Sequence, residues 1–213
     1  MGLKKSTESA GLHQVEVRAY PRDLQGLTAQ LADADPGVRR WAARDLSAEP
    51  QAAPWLCARL PQESDASVRA VLFTSLSQMG HHPGTGEAVV RGTLPLLRSE
   101  DAGLRNGAIE LLAGLPDAVA PHIEALLSDA DSDVRIFSVN LMGNLPHPRV
   151  PAWLAQVLMQ DEAVNVVAAA LEVIAEVGGQ ESVSAVEAAQ RRFNHEPFIE
   201  FAAQLALERM ASA

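Results

Sequence analysis

The chain is poor in most of what catalysis, membranes and nucleic acids call for. It has one cysteine in 213 residues, Cys57, so no internal disulfide forms, and this fits a reducing compartment. Aromatic residues make up 4%. Lysine is almost missing: the two present, Lys4 and Lys5, lie near the N-terminus, and the formal net charge is −10. That balance excludes a strongly basic nucleic-acid surface. No apolar run approaches the roughly 18 residues of a membrane span. Even the uncharged stretch from Ile136 to Pro148 is broken by Asn, Gly and Pro. Met1-Gly2-Leu3-Lys4-Lys5-Ser6 is too short and polar for a secretory signal. It matches the pattern for myristate on Gly2, although a lone acyl chain anchors only marginally. These absences predict a cytoplasmic protein with no membrane insertion.

Chemical constellations are missing too. No nucleophile with a base, no phosphate loop and no acid pair stands out. Gly84-Thr85-Gly86 lacks the strand and the Lys of a phosphate loop. His81-His82 has no carboxylate or Cys at ligand spacing, and Asp129, Asp131 and Asp133 lack the Gly and distal Glu of a calcium loop. The expectation is a chain without catalytic residues, cofactor or metal.

Alanine is plentiful, with 36 residues, and with Leu and Val it favours helices over sheets. One pattern recurs along the chain: an acid, two variable residues, an aliphatic residue and usually Arg. It reads Asp35-Pro36-Gly37-Val38-Arg39, Asp65-Ala66-Ser67-Val68-Arg69, Asp101-Ala102-Gly103-Leu104-Arg105 and Asp131-Ser132-Asp133-Val134-Arg135. A fifth copy, Asp161-Glu162-Ala163-Val164-Asn165, lacks the Arg, and a sixth, Glu196-Pro197-Phe198-Ile199-Glu200, is degenerate. The acids are 30, 36, 30, 30 and 35 residues apart. Each acid suits an N-cap, where its carboxylate accepts from an open amide and faces the positive end of the helix dipole. Apolar residues then return at helical spacing: Val38, Ala42 and Leu46; Val68, Leu72 and Leu76; Leu104, Ala108 and Leu112; Val134, Ser138 and Met142; Val164, Ala168 and Glu172. An earlier helix precedes each cap, at about 23–31, 53–60, 87–97, 119–127, 150–159 and 182–193. Neither helix of such a unit buries its stripe alone, so the units must stack.

The unit resembles a HEAT repeat, and its length of about 30 residues is similar to the HEAT-like repeats of phycobilisome lyases. The resemblance implies an all-α, right-handed α-solenoid of about six hairpins over 22–213, preceded by an extended or partly disordered tail at 1–21. It also implies a structural ladder of Asp35, Asp65, Asp101 and Asp131 with Arg39, Arg69, Arg105 and Arg135, the arginines pairing with acids or carbonyls between repeats. The second helices would line the concave side. Two and five residues after each aliphatic anchor fall Arg40, Phe73, Ile109, Ile136, Val139, Val166 and Phe201. An apolar row where a solvated face would carry Glu, Lys and Gln points to a contact surface. Tight superhelical packing or self-association is the alternative cover for it. The function expected is a non-catalytic scaffold, adaptor or regulatory subunit that binds a protein partner. Family resemblance alone offers a second reading, a bilin lyase subunit or chromophore chaperone, with Arg40 and Arg44 near the propionates. His195-Glu196 is similar to the His-Glu pairs of deoxyhypusine hydroxylase, but one pair where four are implied leaves no iron site.

Overall fold

Six helical hairpins follow one another in the computed structural model, which describes residues 21–212. They pair α1 (Leu24–Gln30) with α2 (Pro36–Leu46), α3 (Ala53–Arg59) with α4 (Ala66–Gly80), and α5 (Gly86–Thr93) with α6 (Ala102–Ala113). In the fourth, α7 (Pro116–Val119) and α8 (Ile123–Leu127) precede α9 (Ser132–Gly143). The last two join α10 (Val150–Gln160) to α11 (Val164–Val177), and α12 (Val183–Arg192) to α13 (Pro197–Ser212). Among the described residues there is no strand, and no helix is long and apolar enough to cross a membrane. The expected tail lies outside the described residues except for Pro21, whose carbonyl accepts from Gln30 Nε2 at 2.7 Å.

Proline explains why the first helices are short and uneven. Pro95 turns the end of the third first helix into a 3-10 stretch, Leu94–Arg98, and Pro121 sits in the 3-10 turn that splits α7 from α8. Its missing N–H cannot close an α-helical bond. The second helices start as their sequences predict. The Asp35, Asp65, Asp101 and Asp131 side chains accept from the amides of Gly37, Ser67, Gly103 and Asp133, at 2.7–2.9 Å. The six residues 81–86, which stretch one spacing to 36, form the turn between α4 and α5 and the first residue of α5. Gly84 there has φ +82°, the left-handed region that glycine enters without strain.

Residues three, seven and eleven positions after the cap form the buried stripe. Val68, Leu72 and Leu76 are fully enclosed, and Ala108, Leu112, Ser138 and Met142 hold the same places in α6 and α9. Two buried hydroxyls are satisfied within the stack: Ser138 Oγ donates to the Val134 carbonyl at 2.7 Å, and Ser75 Oγ donates to the Ala43 carbonyl on the neighbouring helix at 2.9 Å. One cluster of buried apolar residues runs from Leu27 to Met210, so each hairpin's core continues into the next. The chain is an α-solenoid.

The fifth hairpin departs from the expected register. Its cap is Ala163, not Asp161, and the helix opens at Val164. Asp161 instead accepts from the Ala163 amide at 2.9 Å. That is the place held two residues before the cap by Asp33, Glu63, Ser99 and Asp129 in the earlier hairpins. With the cap moved by two, the stripe becomes Val166, Ala170 and Ile174, all at 0% exposure, while Glu172 points to solvent. Val166, expected on the open face, is therefore the aliphatic anchor of its helix.

Candidate protein-docking face

The arginine four residues after each of the first four caps joins consecutive hairpins. Arg39 forks onto Glu63, Nε to Oε2 at 2.8 Å and Nη2 to Oε1 at 2.7 Å, and its Nη1 donates to the Asp33 carbonyl at 2.8 Å. Arg135 does the same with Asp161, at 2.7 and 3.1 Å, and with the Asp129 carbonyl. Arg69 meets Ser99 where the other hairpins have an acid. It turns to the cap Asp101, 2.7 Å away, and its Nε donates to the Glu63 carbonyl. Arg105 finds the equivalent acid, Asp129, taken by Arg98. Its guanidinium lies 4.5 Å from the Phe137 ring centroid, and its Nη1 donates to the Ser99 carbonyl. The Glu63 carboxyl is held down at about 2, first by the Arg39 hydrogen bonds. Arg39 and Arg135 are pushed up by their carboxylate partners.

These contacts sort the faces of a second helix. Positions four and eight after the cap look toward the next hairpin. Arg105 at position four covers Phe137, and a Cβ on Gly107 of α6 would run into the ring of Phe73 at position eight of α4. Position eight is therefore a seam between helices. Val139, expected on the open face, is fully buried there, and Phe73 and Ile109 are half-buried against the core. Positions five and nine look outward instead. Position nine is exposed in every second helix, as Arg44, Thr74, Glu110, Asn140, Glu172 and Leu205. Position five carries the exposed Arg40 and Phe201, with Ile136 half-buried between them. In the C-terminal half, the second helices pack on one another more extensively than the first helices do, and we call the side that carries positions five and nine the inner face.

The inner face is uneven along its length. At the N-terminal end it carries Arg40, whose Nη1 donates to Ser67 Oγ at 3.4 Å, and Arg44, whose guanidinium lies 5.4 Å from the Trp41 ring centroid. Its middle holds Ala70, Thr74, Asn106 and Glu110. The exposed apolar residues gather at the C-terminal end, where Phe198, Phe201 and Leu205 are 54%, 67% and 40% exposed. They border a groove of about 310 Å³ between α11 and α13, with Leu171, Ala175, Glu172, Glu176 and Arg209. Sequence reasoning found Phe201 and missed Phe198 and Leu205. The signal that reveals them is the repeat register, since Leu205 stands at position nine.

The outer side holds a second apolar recess, between α3 and α5, lined by Pro54, Cys57, Ala58, Gly92, Pro95 and Leu96. Burial pushes the Cys57 thiol up to about 11, so it is protonated and poorly nucleophilic at neutral pH. His81 and His82 are exposed, and among the described residues no three His, Cys, Asp or Glu side chains gather where they could hold a metal ion.

Residues 119–208 match the family model described as HEAT repeats. Two engineered proteins of solved structure, each 20% identical, align over 87% and 90% of this chain and 95% and 99% of theirs, with TM-scores of 0.40 and 0.42. The complex of CpcE and CpcF of phycocyanin lyase from Nostoc sp. PCC7120 aligns at 18% identity over 94% of this chain and 98% of that chain, with a TM-score of 0.37. No curated protein sequence matches. The family match runs from the fourth hairpin to the sixth, so this part of the solenoid is built of HEAT repeats, and the hairpins before it follow the same helix–turn–helix plan.

Proposed function

We propose that the chain is a non-catalytic interaction module of the cytoplasm that grips a protein segment on its inner, second-helix face. One observation carries this reading: the exposed apolar side chains of α13 are not the unfinished stacking surface of a terminal repeat. Positions four and eight, which face the next hairpin elsewhere, hold Glu200 and Gln204 in α13, and Gln204 donates to Glu208 at 2.9 Å. The side of α13 that corresponds to the stacking side of the other second helices is thus polar. Phe201 and Leu205 stand at positions five and nine, on the inner face, and nothing in the stacking calls for them there. Large apolar side chains left in water on one contiguous face are what a docking surface looks like.

The test is affinity capture from native lysate with the full chain and with its Phe201→Ser/Leu205→Ser variant. Both positions are exposed, so helical circular dichroism should be unchanged. The reading predicts a reproducible set of proteins recovered by the wild type and lost by the variant. Recovery of the same set by both proteins contradicts it.

A further inference from the structure

We propose that the groove between α11 and α13 receives a basic amphipathic helix from the partner. The inference rests on the interaction-module reading and adds the partner's chemistry. Phe198, Phe201 and Leu205 are spaced three and then four residues apart, so they form a single seam along one side of α13. Opposite them, α11 supplies Leu171 and Ala175. Two adjacent helices with an open furrow between them fit the ridges of a third helix. Addition of an extended strand needs a sheet edge, and the described residues contain none.

Charge selects among amphipathic helices. Glu172 and Glu176 border the groove, and the Arg209 that lines it is held by Glu176 at 3.0 Å. Glu172 makes no ion pair among the described residues, so the charge left over at this rim is negative. A docking helix with Lys or Arg beside its apolar stripe meets that rim, whereas an acidic one is repelled. The same argument disfavours a second copy of the chain, which brings a net charge of −10.

The experiment is fluorescence anisotropy of labelled peptides, roughly 18 residues long to match several helical turns, titrated with the full chain. The probes are a Leu/Lys amphipathic helix, its Leu/Glu twin, a shuffled Leu/Lys peptide without helical periodicity, and a peptide of residues 1–20 of this chain. The proposal predicts saturable binding of the Leu/Lys helix, with the Glu twin and the shuffled peptide each about tenfold weaker or worse. Phe201→Ser/Leu205→Ser should weaken it at least about tenfold, and Glu172→Lys/Glu176→Lys should reverse the preference toward the Glu twin. Several results overturn the proposal: equal binding of the shuffled peptide, no effect of Phe201→Ser/Leu205→Ser, tighter binding of the 1–20 peptide, or a dimer of the full chain that this variant dissociates. If the peptides fail while variant-sensitive capture persists, the module reading stands and the basic-helix partner does not.

Discussion

Arg39 and Glu63 lie 24 residues apart in the chain and meet in a two-pronged ion pair at 2.7 and 2.8 Å, exposed 7% and 1%. Glu63 also accepts from Arg59 and from the Asp65 amide, so one carboxylate ties the first hairpin to the cap of the second. Removing one partner of a buried pair strands the other and costs about 3–5 kcal/mol. Glu63→Gln should lower stability by that order, measured by chemical denaturation. The wild type also carries a pH signature. The folded carboxyl titrates near 2 against an ordinary value of 4.5, so the unfolded chain binds the proton more readily. The stabilisation from this group is complete above the ordinary value and drains away as pH falls from 4.5 toward 2. Glu63→Gln should flatten that acid limb.

The fifth hairpin offers a test of register. Val166 is fully buried and Val164 half-buried, though both are valines at the start of one helix. Val166→Ala should cost about 1–3 kcal/mol, and Val164→Ala less than half as much. Glu172→Ala should stay within about 0.5 kcal/mol because its side chain is in solvent. Equal costs for the two valines would restore Asp161 as the cap.

Gly107 lies under the Phe73 ring, and a Cβ there has no room. Gly107→Ala should destabilise by about 1–3 kcal/mol, despite alanine's better helix propensity. In Phe73→Leu the same glycine change should cost measurably less. A double-mutant cycle by urea denaturation reads the coupling directly.

Ile136 and Val139 separate surface from core. Val139 sits in the seam at 0% exposure, whereas Ile136 is half-buried at position five. Val139→Asp should unfold the C-terminal hairpins, seen as lost helical circular dichroism. Ile136→Asp should leave the helices intact and weaken partner capture.

The caps and stripes of the second helices were legible in sequence because an Asp cap, a Val or Leu three residues on, and an Ala or Leu four residues later are local demands of one helix. The fifth register was not legible, because Asp161 satisfies the same pattern while serving the hairpin before it through Arg135. Only the polar Glu172 on a supposedly apolar stripe hinted at the shift. Helix periodicity separates a core face from an open one. It does not separate the seam between neighbouring helices from the face beside it, and so Val139 and Ile136 looked alike. Phe201 was readable from spacing, whereas the polar side of α13 at Glu200 and Gln204 takes meaning only once positions four and eight are known to face the next hairpin.

Hydrogen–deuterium exchange of the full chain, alone and with a captured partner, tests the central claim most directly. Binding on the inner face predicts slowed exchange in α9, α11 and α13, strongest around Phe201 and Leu205, with α3 and α5 unchanged. Protection centred on the outer recess around Cys57 and Leu96, with α13 unaffected, would contradict it.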